Sequence, residues 1–163
     1  MHRLHRDREI QKQRFDAMNL KNYTSQVPVF QTIARIEYLL IQAGAKAIGK
    51  DYDNAKVSSV TFQLSINGKD QIVRLPANIQ KVNALLRKAY PNRSAESVLQ
   101  QAERTAWKLQ QDWLEIELSL IQMQQKEPGE VFMAYLWDGQ RSYYAFAKER
   151  GYLAMLPEKS EAA

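Results

Sequence analysis

Two histidines, no cysteine and a few clustered carboxylates set what chemistry this chain of 163 residues could perform. His2 and His5 have a spacing that can hold a metal on a helix, but no third ligand lies near them, and two ligands make a weak site. A catalytic histidine must be held in a pocket, and both belong to a charged N-terminal stretch, which argues against a histidine-dependent triad. The absence of cysteine removes disulfides, thiolate zinc sites and cysteine nucleophiles. In KDYDNAK, Asp51, Asp53 and Asn54 begin a calcium-loop pattern, but the turn glycine and the distal glutamate are missing in register, so the segment is read as a solvated loop. A metal nuclease needs carboxylates converging on a strand, and Asp70, Gln71 and Arg74 fit that poorly. Asp112, Glu115 and Glu117 share a helix with Arg104 and Lys108 and read as its wetted face. No GxxxxGK[ST] or GxGxxG loop is present to cradle a phosphate. The expectation is a protein that is not an enzyme and uses neither cofactor nor metal.

That leaves binding. Lys and Arg number 23 against 18 Asp and Glu, a net charge of +5 and a pI near 9.4. This balance permits a polyanionic partner without demanding one. Surfaces for nucleic acid combine cations for phosphates with aromatic faces for bases. The stretch YLWDGQRSYYAFAKERGY, residues 135–152, mixes six aromatics with three cations. It could stack bases, or its Tyr135, Trp137, Tyr144 and Phe146 could close a core over Trp107 and Leu114. The candidate contacts are Arg74, Lys81, Arg87, Lys88, Arg141 and Lys148 for phosphates and Tyr143 for stacking. Lys50, Lys56 and Lys69 are further cations in loops.

The elements that would position these residues follow from pattern. Residues 1–20 are polar and weakly patterned and read as a flexible basic arm, with translation starting at Met1 or Met18. Residues 21–157 read as a single α+β domain and 158–163 as a disordered tail. Pro28 suits a first helical turn, Phe30, Ile33, Ile36, Leu40 and Ile41 recur at helical spacing, and Gly44 suits the C-terminal cap. Tyr38 and Leu39 widen the apolar face, which predicts a well-buried helix. In VTFQLSINGKDQIVRL, apolar residues alternate from Val60 to Ile66, and Asn67-Gly68 is a favoured hairpin turn. The predicted register sets Ile66 opposite Lys69, Leu64 opposite Gln71, Phe62 opposite Val73 and Val60 opposite Leu75. Asn78 is expected to cap a helix that Pro91 stops. Ser94 is expected to cap a helix of about 30 residues, roughly 45 Å long, with two apolar stripes. Pro128-Gly129 ends it, EVFMAYLW could be strand or helix, and Ser142 caps a last short helix.

The fold class is therefore α+β: an N-terminal helix, an antiparallel β-hairpin, a helix, a long helix and a short aromatic C-terminal segment. Two strands alone are marginal, so EVFMAYLW or a second subunit is expected to complete the sheet. No apolar run approaches the roughly 20 residues of a membrane span, and no signal-peptide pattern is present, so a cytoplasmic protein with no membrane partner is expected. The ordered set KNYTSQVPVFQTIARIEYLLIQAGAKAIGKDYD, FQLSINGKDQIVRLPANI, AERTAWKLQQDWLEIELSLIQ and EVFMAYLWDG resembles a family of small uncharacterised proteins of phages, prophages and mobile elements. The resemblance covers Lys21 to Leu156. It implies a neighbourhood of nucleic-acid accessories, or of inhibitors that bind host defence components, and carries no catalytic residues over. Expected partners are DNA or RNA, with a host protein or a second copy of the chain as the alternative.

Overall fold

The structure is a computed structural model that describes residues 2–152. Three antiparallel strands, β1 (Ala47–Asp53), β2 (Lys56–Ile66) and β3 (Lys69–Pro76), form one sheet in the order β1-β2-β3. The β2–β3 register is the predicted one, from Ile66 opposite Lys69 to Val60 opposite Leu75. Asn67 and Gly68 both have positive φ, which matches the right-handed twist of the two strands they join.

The third strand of the sheet comes from within the chain and not from EVFMAYLW. The KDYDNAK segment, read above as a loop, supplies most of β1, and Asn54-Ala55 closes a second two-residue turn with positive φ at both positions. Ser58 is the extra residue where the β1–β2 register shifts beside Asp51 and Tyr52. EVFMAYLW instead forms helix α5 (Pro128–Phe132) and a 3₁₀ turn (Met133–Tyr135). It reaches the sheet edge only through a bridge between Val73 and Leu136 and the Trp137 N–H, which donates to the Ile72 carbonyl at 2.8 Å.

Four helices form a layer in the spatial order α1 (His2–Met18), α3 (Ile79–Ala89), α4 (Ala95–Gln122), α2 (Val29–Gln42). The N-terminal arm forms helix α1. Its residues are mostly good helix formers without glycine or proline, and the Arg14 Nε–H donates to the Ala89 carbonyl at the end of α3, 3.2 Å away. The tail at 158–163 lies outside the described residues. Helix α2 is less buried than expected. Thr32, Ile33, Ile36 and Leu40 enter the core, while Phe30, Tyr38 and Ile41 are 71%, 52% and 60% exposed. Gly44, at φ +88, takes the left-handed position after the helix.

The core lies between sheet and helices. Val60, Phe62, Val73 and Leu75 from the strands meet Ile36 and Leu40 of α2, Leu86 of α3, and Trp107 and Leu114 of α4. The fully buried Trp107 donates its indole N–H to the Val57 carbonyl at 3.2 Å, which ties the long helix to β2. Phe132 of α5 packs edge-on against both Phe62 and Trp113 and anchors the C-terminal segment. Helix α4 has 28 residues, about 42 Å, and Ser94 caps it as expected by accepting from the Ser97 N–H. Asn78 precedes α3 but adopts a left-handed conformation and makes no side-chain cap. Ser142 caps α6 (Tyr143–Glu149) by accepting from the Ala145 N–H.

Candidate nucleic-acid interface

The seven candidate residues divide by what already holds them. Arg74, on β3, donates from Nε to Asp51 at 3.1 Å and lays its guanidinium over the Trp137 ring, 4.6 Å from its centre. The Ser59 hydroxyl and then Arg74 hold the Asp51 carboxyl below the ordinary carboxylate range. Arg141 pairs with Glu149, lies 4.0 Å from Asp138 and covers the Phe146 ring. Both arginines are thus committed within the chain. So are two of the three loop cations, Lys50, paired with Glu37, and Lys56, paired with Glu103, whereas Lys69, exposed at the start of β3, has no ion pair among the described residues. The carboxylates of α4 are occupied in the same way: Asp112 by Lys21 and Lys108, Glu115 by Arg35, and Glu117 by Lys126.

Lys81, Arg87 and Lys88 of α3 are different. They are exposed, and none forms an ion pair among the described residues. Lys81 and Lys88 are seven residues apart and share one side of the helix, while Arg87 projects about 100° away. The buried side is Val82, Leu86 and Ala89. Arg87 and Lys88 also sit in the last turn, where the helix dipole favours cations. Lys148 is exposed near the end of α6 and likewise has no ion pair among the described residues. Tyr143 is exposed but leans on Phe146, with centroids 6.0 Å apart.

The neighbour of α3 is the basic arm of the sequence analysis. Helix α1 carries Arg3, Arg6, Arg8, Lys12 and Arg14 against Asp7, Glu9 and Asp16. Adding the three cations of α3 gives 8 − 3 = +5, the net charge of the whole chain. The remaining 23 − 8 = 15 cations meet 18 − 3 = 15 carboxylates. The entire excess of positive charge therefore belongs to two helices packed on each other at one end of the helical layer. A signal was available in the sequence, since cations outnumber carboxylates in the first segment and the second has no carboxylate at all. Their adjacency was not visible there.

The aromatic stretch has two parts. Tyr135 is half-buried against Trp113, with centroids 5.3 Å apart, and belongs to the packing of the fold. Tyr143, Tyr144 and Tyr152 are exposed. Among the described residues, no group of three His, Asp or Glu side chains could hold a metal. No described helix is long and apolar enough to cross a membrane. Comparison with family models, with curated proteins and with solved structures finds no match to this chain.

Proposed function

We propose that this protein is a non-enzymatic nucleic-acid-binding accessory, of the kind the resemblance to phage and mobile-element proteins implies, and that it grips phosphates through the α1–α3 face. One observation carries this reading. The whole net charge of +5 resides on two adjacent helices, and the three cations of α3 lack internal partners among the described residues. Unpaired, exposed cations can release counterions from a polyanion without first breaking an ion pair, so they contribute more to such binding than paired ones. The test is fluorescence anisotropy with labelled DNA and RNA across a salt series. The expected result is log affinity falling linearly with log salt, with a slope that counts the phosphates engaged. No binding even at low salt would sink the reading.

A second reading, a protein-interaction module such as an inhibitor of a host defence complex, is favoured by a separate observation. Phe30, Tyr38 and Ile41 form an exposed apolar stripe on α2, at the other end of the helical layer from α1. This reading covers a second copy of the chain as well as a host protein. It predicts salt-insensitive co-purification that is lost in the Tyr38→Ser, Ile41→Ser double variant, and a sedimentation experiment separates self-association from a host partner.

A further inference from the structure

Two cavities of about 400 Å³ each meet at Arg74 and Pro76, which line both. One extends over Tyr135, Trp137 and Tyr144. The other runs toward the start of α3 and includes Lys81 in its wall. Together they make a trough with aromatic rings at one end and, at the other, Lys81, which has no ion pair among the described residues, near Asp53 and the Lys56–Glu103 pair. From Lys81 the exposed cations continue along α3 to Lys88, about 10 Å further on the same side of the helix. Arg74 occupies the middle of the trough as a positioning residue. Its ion pair with Asp51 and its stack on Trp137 fix the indole plane and cover one face of it. Tyr144 is half exposed, lines the same cavity from the capped helix α6 and packs beside Tyr152, with ring centroids 6.1 Å apart.

We infer that this trough receives a base of single-stranded nucleic acid, stacked on Tyr144 beside Trp137, while the adjoining phosphates follow Lys81 and Lys88. The inference rests on the proposed nucleic-acid reading and refines it in two ways. It selects single strands, because a base inside a duplex already has its faces covered by neighbours and would have to be splayed out to enter. It also replaces Tyr143 by Tyr144 as the stacking residue, since Tyr144 lines the trough and Tyr143 does not, while each packs on one neighbouring ring, Tyr144 on Tyr152 and Tyr143 on Phe146. Sequence tolerance is expected, because every base has a stacking face and the aromatic end offers rings rather than a set of hydrogen-bonding groups.

The experiment compares a short labelled oligothymidylate with a labelled oligomer of the same length built from abasic phosphodiester units, using the full chain and its Tyr144→Ala and Tyr144→Phe variants. The expected result is that the oligothymidylate binds about tenfold or more tighter than the abasic oligomer. Tyr144→Ala should remove that difference while leaving the abasic affinity unchanged, and Tyr144→Phe should retain it. Equal, salt-dependent binding of both oligomers, or a difference that survives Tyr144→Ala, would overturn the trough while leaving the phosphate reading in place. Failure of both oligomers to bind at low salt would overturn the phosphate reading and the trough together.

Discussion

The cations of α3 and those around the sheet are the same residue types in opposite situations. Around the sheet, Lys46 holds Asp70, Lys50 holds Glu37, Lys56 holds Glu103 and Arg74 holds Asp51. On α3, Lys81, Arg87 and Lys88 have no carboxylate on their own helix, and the helix beside them is itself net positive. The first group fastens elements to one another: Lys50 joins β1 to α2, and Lys56 joins β2 to α4. Each such exposed pair contributes modestly, about 0.2–1 kcal/mol. The second group contributes little to the fold and leaves a field that a polyanion would neutralise. Counting basic residues along the chain gives both groups equal weight, whereas their partners separate them.

The strongest way to break the comparison is to remove the α3 cations together. Lys81→Ala, Arg87→Ala and Lys88→Ala combined should weaken polynucleotide binding on the order of a hundredfold or more near 0.1 M salt. The magnitude of the salt slope should fall by about 2 to 3. The melting curve should hardly move, because these side chains are exposed and have no ion pair among the described residues. An unchanged slope would show that the phosphates are gripped elsewhere.

A smaller effect separates the two cations of α6. Lys148→Ala should cost about threefold to tenfold in affinity and lower the slope by about one. Arg141→Ala should change affinity less than about threefold, since Glu149 and Asp138 already occupy that guanidinium. Its loss should appear instead as a slight destabilisation of the C-terminal segment, measurable as faster amide exchange at Ser142 to Phe146. Equal affinity losses from the two substitutions would remove the distinction between held and free cations on this helix.

What was legible in the sequence follows from how each residue spends its side chain. The β2–β3 register was legible because Val60, Phe62, Leu64 and Ile66 alternate into the core and Asn67-Gly68 permits one kind of turn. Helix α4 was legible because Val98, Ala102, Ala106 and Leu114 recur on its buried side. Strand β1 was not, because it is an edge strand whose residues are exposed except for the half-buried Ile48. Its conformation comes from backbone pairing with β2, which leaves no alternation to read. Helix α1 was hidden for a related reason: it is polar on most sides, and one of its ties to α3 is an arginine on a backbone carbonyl. The candidate site was legible by residue type only. Arg74 meets Asp51 from 23 positions away and Arg35 meets Glu115 from 80, so nothing local to either arginine announces that it is occupied.

The smallest expected effect concerns acid, and it sharpens the same contrast. The Asp51 carboxyl is held below its ordinary range by the Ser59 hydroxyl and Arg74, and that of Glu115 chiefly by Arg35. A carboxylate whose folded pKa is depressed stabilises the protein above its unfolded pKa, near 4, and loses that contribution as pH falls through the folded value. Stability from these pairs should therefore be flat from neutral pH down to about 5 and decline below about 4. Asp51→Asn and Glu115→Gln should each lower the melting temperature slightly at pH 7, and the gap from the parent protein should narrow toward pH 3. Asp51 is exposed and Glu115 partly so, and solvent screening keeps each gap small, under about 1 kcal/mol. The α3 triple variant should show no such convergence, because α3 contains no carboxylate to titrate. A gap for Asp51→Asn that stayed constant down to pH 3 would mean that the Asp51–Arg74 pair does not stabilise the fold through its charge, and the sheet-side cations would lose their assigned role as fasteners.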